Sequence, residues 1–226
     1  MDVLRQIDDM LPRILDGFTV TVRLAVLSLV LSTIIGTALA SMRVSPVAPL
    51  RAFGTAYVNV FRNTPLIVLF IFVVEGFPQL GIQPKLAPLG MDVFEMYAVI
   101  ALSGYTAAFV CEAVRSGINT VAAGQAEAAR AIGLTFEQTL REVILPQAFR
   151  AVVPPLVSVY IACTKNSAIA AAFGVLEATA QLSSLIEDFP GSVYLAFFLI
   201  AAGYMVLVFV LAGVSALVER RFAVSR

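Results

Sequence analysis

The chain has 226 residues, 60% of them hydrophobic and only 13% charged, with a mean hydropathy of +0.93. A soluble domain of this length carries roughly a quarter charged residues, so the composition points to an integral membrane protein. The 15 basic and 15 acidic residues cancel, which removes the case for a nucleic-acid partner, and a chain with no histidine and two cysteines lacks the donors of a structural zinc site. Cys111 and Cys163 fall in apolar segments and read as small buried hydrophobes, not a disulfide. The first residues mix acids with bases and have no small-residue cleavage site, so no removable signal peptide is read there.

Residues 1–17 are polar, with Leu4, Ile7, Leu11 and Leu15 spaced for one apolar helical face. Two readings are open: a short helix along the outer membrane surface, or a polar leader that enters the first span. That span covers residues 18–40. Arg23 lies near one end, where a long side chain reaches the interface, and Ser28, Ser32, Gly36 and Ala40 form a stripe suited to close helix packing. A short loop with Arg43, Pro46, Pro49 and Arg51 follows.

The second span covers residues 56–74 and contains Arg62-Asn63-Thr64-Pro65. Pro65 donates no backbone bond and frees the carbonyl near Phe61, so a kink is expected there. Arg62 and Asn63 beside a kink either line a cavity or anchor a helix start. Residues 75–95, rich in Gly and Pro, read as an irregular connection. The third span, 96–114, carries Tyr105, Thr106 and Glu112. A carboxylate so near the membrane faces protein or the interface, and Arg115 and Arg130 are both candidate partners.

Residues 117–150 are polar and helix-forming between apolar segments. A first helix is read over 121–132, with Glu127 and Arg130 three apart and Gly133 at its end. Thr135 and Gln138 form a capping box for a second helix, with Phe136, Leu140 and Val143 as its apolar stripe against the membrane domain, Glu137 four before Arg141, and Pro146 closing it. The fourth span covers 151–175, with Pro154 and Pro155 near its start. Lys165 and Asn166 at mid-length require a bundle interior, a helix break or a partner subunit. Residues 176–192 read as partly helical and interfacial or re-entrant, and the last span covers 193–214.

Five spans put the termini on opposite faces. One face carries nine basic residues (Arg43, Arg51, Arg115, Arg130, Arg141, Arg150, Arg220, Arg221 and Arg226), and the other three (Arg5, Arg13 and Lys85). The richer face is cytoplasmic by the positive-inside rule, which places the N-terminus outside, the C-terminus inside and 117–150 in the cytoplasm. Glu177, Glu187 and Asp188 then fall outside.

The run Glu127-Ala128-Ala129, Gly133 and Val143-x-Leu145-Pro146 resembles the signature loop of bacterial ABC-importer permeases. Arg62-Asn63-Thr64-Pro65-Leu66, the stretch from Tyr105 to Ile118, and Lys165-Asn166-Ser167 resemble the polar amino-acid branch of that family. The wording MRVSP, RNTPL, RSGINTV and TKNS is most similar to glutamate-uptake permeases of actinobacteria. The resemblance covers nearly the whole chain and departs from the motif only in Val143, where isoleucine is usual. It implies an all-α, five-helix transmembrane domain of a type I importer in a bacterial inner or plasma membrane. Such a permease forms a single domain, pairs with a second permease, related or identical, and binds a dimer of ATP-binding cassette ATPases that hold ATP and Mg. An extracytoplasmic solute-binding protein delivers the cargo. Residues 117–150 become the cytoplasmic coupling loop, in which Gln125, Glu127, Ala128, Ala129, Arg130, Gly133 and Leu134 dock on the ATPase.

The chain has no Gly-rich phosphate loop followed by Gly-Lys-Ser or Gly-Lys-Thr, so no cofactor is expected here and ATP chemistry belongs to a partner. An acidic amino acid needs cationic or donor groups along its path. Arg62, Lys165, Asn166 and Ser167 are candidates, with Asn63, Thr64 and Thr106 behind them; the competing role for the two cations is anchoring helices or pairing with Glu112. Glutamine or arginine importers share these motifs. An ion-coupled carrier would use membrane carboxylates or broken helices at mid-depth, and the sequence shows few acids within its spans and no evident internal repeat.

Overall fold

A chain this apolar must satisfy its backbone N–H and C=O groups within its own segments, and helices are the open-chain solution. The computed structural model describes residues 3–84 and 90–222, and every regular element among them is helical. Lys85 and Arg226, which enter the charge count, lie outside the described residues.

Helix α1 spans Val3–Val44. Residues 3–17 are its first turns, continuous with the span and not a separate surface element. Met10 and Ile14 pack with Ala178, Leu185, Ala196 and Ile200. Arg13 pairs with Asp188, and Ser192 Oγ donates to Gln6 Oε1 at 2.9 Å. Arg23 is paired: its Nη2 lies 2.5 Å from both Glu95 carboxylate oxygens.

Helices α2 (Ala48–Asn63) and α3 (Leu66–Gln79) meet at a bend of 106°. Thr64 N–H still bonds Val60 O, but Pro65 offers no N–H to continue the ladder, so the expected kink is a full break inside the expected second span. Helix α4 covers Val93–Asn119, starting three residues earlier than the expected span. The Asp92 side chain accepts from Glu95 N–H at 2.8 Å and caps it.

Helix α4 is the centre of the fold, and α1 lies along it. Ser28, Ser32, Gly36 and Ala40 are all buried, as their spacing predicted. A Cβ on Gly36 would sit 2.6 Å from Val110 Cβ and 2.8 Å from Ala107 O, so the two backbones approach as only glycine permits. Gly117 serves the contact with the helix that carries Val152 in the same way: its Cβ would lie 2.9 Å from Val152 N.

Helix α5 spans Ala123–Ala131, and α6 runs unbroken over Phe136–Phe173. Pro146 therefore does not end the second loop helix. A π turn over Thr139–Ile144 precedes it and widens the backbone where proline would lose its bond and clash with the carbonyl four residues back. The last turns of α6, Ser167–Phe173, tighten to 3-10 geometry and end at Gly174 with φ +84°. Helix α7 (Ala178–Asp188) and helix α8 (Val193–Phe222) complete the chain. Among the described residues, four helices (α1, α4, α6 and α8) are long and apolar enough to cross a bilayer, and the bent α2–α3 pair makes five if it counts as one span.

Candidate functional site

The loop between α4 and α6 is built by local signals. Helix α5 ends in a Schellman motif: Gly133 N–H bonds Arg130 O at 3.0 Å and Leu134 N–H bonds Ala129 O at 3.1 Å, with Gly133 at φ +95°. Two residues on, the Thr135 hydroxyl accepts from Gln138 N–H while Gln138 Oε1 accepts from Thr135 N–H, which completes the expected capping box. Gln125 accepts from Gln147 Nε2, tying α5 to α6. Ala129 is buried; Gln125, Glu127, Ala128, Arg130 and Gly133 are exposed, and Leu134 is half-buried. The expected Glu127–Arg130 and Glu137–Arg141 pairs are absent from the ion pairs among the described residues; Arg130 Nε donates to Ala126 O instead. The expected stripe holds only in part: Leu140 and Val143 are half-buried, but Phe136 is 76% exposed and Thr139, at the start of the π turn, is buried instead. Ile132, 81% exposed, stands on the other side of Gly133.

The candidate pathway residues do not converge on one place. Thr106 and Asn166 line one cavity of about 290 Å³ between α4 and α6, with Tyr105, Phe109, Ser158 and Cys163 in its wall. Lys165 turns away into a larger, almost wholly apolar groove of about 500 Å³ between α6 and α8, beside Thr179 and Tyr204. Ser167 is buried and donates to Thr164 O at 2.7 Å. Asn63 and Thr64 satisfy carbonyls of their own helix, at Asn59 O and Val60 O, and so finish α2 at the break. Arg62 sits over the Phe109 ring at 5.9 Å and 3.4 Å from Glu112 Oε2. Glu112 also binds Arg43, so its partners are neither Arg115 nor Arg130. The α1–α4 contact brings together residues that sequence distance separates.

A comparison with known proteins gives this arrangement its setting. Residues 28–224 match the family described as "Binding-protein-dependent transport system inner membrane component". The chain belongs to that family. "Glutamate transport system permease protein GluC" of Corynebacterium efficiens is 45% identical over 204 residues, covering 88% of this chain and 89% of its own. "Probable glutamine ABC transporter permease protein GlnM" of Bacillus subtilis is 36% identical over 207 residues, covering 91% and 92%. Among solved structures, "Crystal structure of an amino acid ABC transporter with histidines" superposes with a TM-score of 0.85 at 30% identity, covering 98% of this chain and 99% of that one. The chain is thus the permease subunit of an ABC-type amino-acid importer, a multi-pass protein of a bacterial inner or plasma membrane with the all-α type I importer fold.

The importer permease also holds a polar cluster that the sequence reading missed. Glu177, expected outside, is fully buried at the N-cap of α7. Its Oε2 accepts from Tyr204 Oη at 2.6 Å and Thr21 Oγ1 at 3.1 Å; its Oε1 accepts from the N–H groups of Thr179 and Ala180. Thr21 Oγ1 in turn accepts from Ala178 N–H. The knot joins α1, α7 and α8. One signal was available: a lone tyrosine deep in an apolar span calls for a hydrogen-bond partner. The early start of α4, also missed, was signalled by Asp92-x-x-Glu95, a capping-box pattern.

Proposed function

We propose that this chain is the permease of a glutamate importer and that Gln125–Leu134 is its coupling element, docked on a cytoplasmic ATPase. The observation that carries the reading is the α5 turn. A short helix is closed at its C-terminus by the Gly133 turn and tied to α6 through Gln125 and Gln147, yet Glu127, Ala128, Arg130, Ile132 and Phe136 all stand in the open. Exposed Ile and Phe beside a rigid turn mark a protein–protein contact. The N-terminus lies outside and the C-terminus inside, supported by the nine-to-three excess of basic residues on the loop side.

A second permease completes the pathway, and an extracytoplasmic binding protein supplies solute. Residues 117–150 act as one cytoplasmic loop, although residues 117–119 belong to α4 and the stretch from 136 onward to α6. When ATP and Mg close the partner ATPases, the coupling elements approach each other. Helix α6 is continuous from the loop to Asn166, so a push at Phe136 is carried through the π turn and past Pro154 and Pro155 to Asn166 and the cavity it shares with Thr106. Hydrolysis on the partner resets the bundle. Glutamate is favoured as cargo by the relative named for glutamate transport; glutamine and arginine are the alternatives.

The test is uptake into proteoliposomes holding the permease, its ATPase and its binding protein. Vanadate-sensitive, ATP-dependent accumulation of radiolabelled glutamate, above glutamine, aspartate and arginine, is expected. Uptake driven by an ion gradient without the ATPase contradicts it.

A further inference from the structure

The Glu112 carboxylate is shared unequally between two arginines. Arg43, in the last turn of α1, binds Oε1 with a side chain only 10% exposed, and it lies 3.8 Å from the buried Cys111 thiol. Arg62 meets Oε2 at 3.4 Å, outside strong hydrogen-bond range, with a side chain 47% exposed. Two guanidinium groups on one carboxylate leave a unit of positive charge unbalanced. Arg62 sits in the last turn of α2, immediately before the 106° break, so its backbone is held from one side only. Its other contact is the face of Phe109, and Phe109 lines the cavity that holds Thr106 and Asn166.

We propose that Arg62 is a carboxylate-receiving arm of the transport cavity and that Glu112 holds it in reserve. The solute's main-chain carboxylate displaces Glu112 from Arg62, while Arg43 keeps Glu112 in place. This rests on the importer reading but not on which amino acid is carried, because every amino acid has that carboxylate. A guanidinium offers two parallel N–H donors to a carboxylate, and at 3.4 Å Glu112 leaves that geometry unused. The resident contact is of the partly exposed kind that shifts binding by no more than about fivefold, so an incoming bidentate partner can replace it. Glu112 then speeds release by taking Arg62 back.

The test uses the permease–ATPase complex in lipid nanodiscs without binding protein. Equilibrium binding of radiolabelled L-glutamate is compared with that of its α-decarboxylated analogue. Glu112→Gln is expected to tighten glutamate binding by up to about fivefold and to slow ATP-driven uptake by the full system. Arg43→Gln is expected to weaken binding, because Glu112 is then left to Arg62 alone. Arg62→Gln weakens glutamate binding, leaves the analogue unchanged, and cancels the effect of Glu112→Gln in the double variant. Arg62→Gln alters a half-exposed side chain, keeps the fold and carries the test by itself. If Glu112 and Arg43 only clamp α1 to α4, their variants shift binding in the same direction, since both break the same pair; that result overturns the arm, as does equal loss of both ligands in Arg62→Gln. A wild-type complex that takes up no amino acid with ATP overturns the importer reading as well.

Discussion

The α1–α4 seam and the α5 loop are both rich in small residues, and they use them to opposite ends. In the seam, Gly36 and Ala40 are buried, and a single added carbon on Gly36 would collide with Val110 and with the Ala107 backbone. In the loop, Gly124 and Gly133 have nothing within 4 Å of an added Cβ, and Ala123, Ala128 and Ala131 face outward. Small residues in the first case let two backbones of one chain touch. In the second they keep the surface low around Glu127 and Arg130, the shape that the proposed docking on an ATPase requires. Composition alone does not separate the two uses; packing does.

Variants that add bulk or remove a partner should therefore act differently in the two regions. The largest loss of stability is expected for Gly36→Leu, about 3 kcal/mol or more, because the clash is with backbone as well as side chain. Thermal unfolding in detergent and the yield in membranes both measure it, and transport falls with them. Glu177→Ala follows, at about 1–3 kcal/mol, since the buried hydroxyls of Thr21 and Tyr204 and two α7 N–H groups lose their acceptor. Glu177→Gln restores part of this, and a Glu177→Ala protein as stable as the wild type would contradict the knot. Gly133→Val is expected to cost about 1–2 kcal/mol locally at φ +95°, with ATP-coupled uptake lost but membrane insertion kept. Smallest in stability is Glu127→Ala, within about 0.5 kcal/mol on an exposed surface, yet uptake and transport-stimulated ATP hydrolysis should both drop. Normal uptake by both loop variants would erase the contrast between seam and loop.

The features legible in the sequence were those fixed by near neighbours. The four-residue stripe of α1, the Gly133 stop, the Thr135–Gln138 box and the Pro65 break each depend on a few consecutive positions, and each is present. The features that were not legible join distant segments. Arg43 meets Glu112 across 69 residues, Arg23 meets Glu95 across 72, and Thr21 meets Glu177 across 156. No local pattern selects those partners. In residues 3–17 the face read from Leu4, Ile7, Leu11 and Leu15 is not the buried one: Leu4, Leu11 and Leu15 are exposed, while α7 and α8 bury Met10 and Ile14 on another side of the helix. Past Pro146, the widened turn rescued a helix that proline was expected to stop. In the pathway, Thr106 and Asn166 share a cavity as adjacent spans would, whereas Lys165, one position away from Asn166, points to a different face.

Sidedness of the loop is the decisive quantity, because an ATPase can act only where ATP is. The native thiols Cys111 and Cys163 are buried, 0% and 1% exposed, so a cysteine placed at Arg130 is the one a membrane-impermeant thiol reagent should reach. Arg130→Cys should label in inside-out vesicles, be shielded when the ATPase subunit is bound, and stay unlabelled in intact cells. Labelling of that position in intact cells would place the loop on the outer surface and contradict the coupling role.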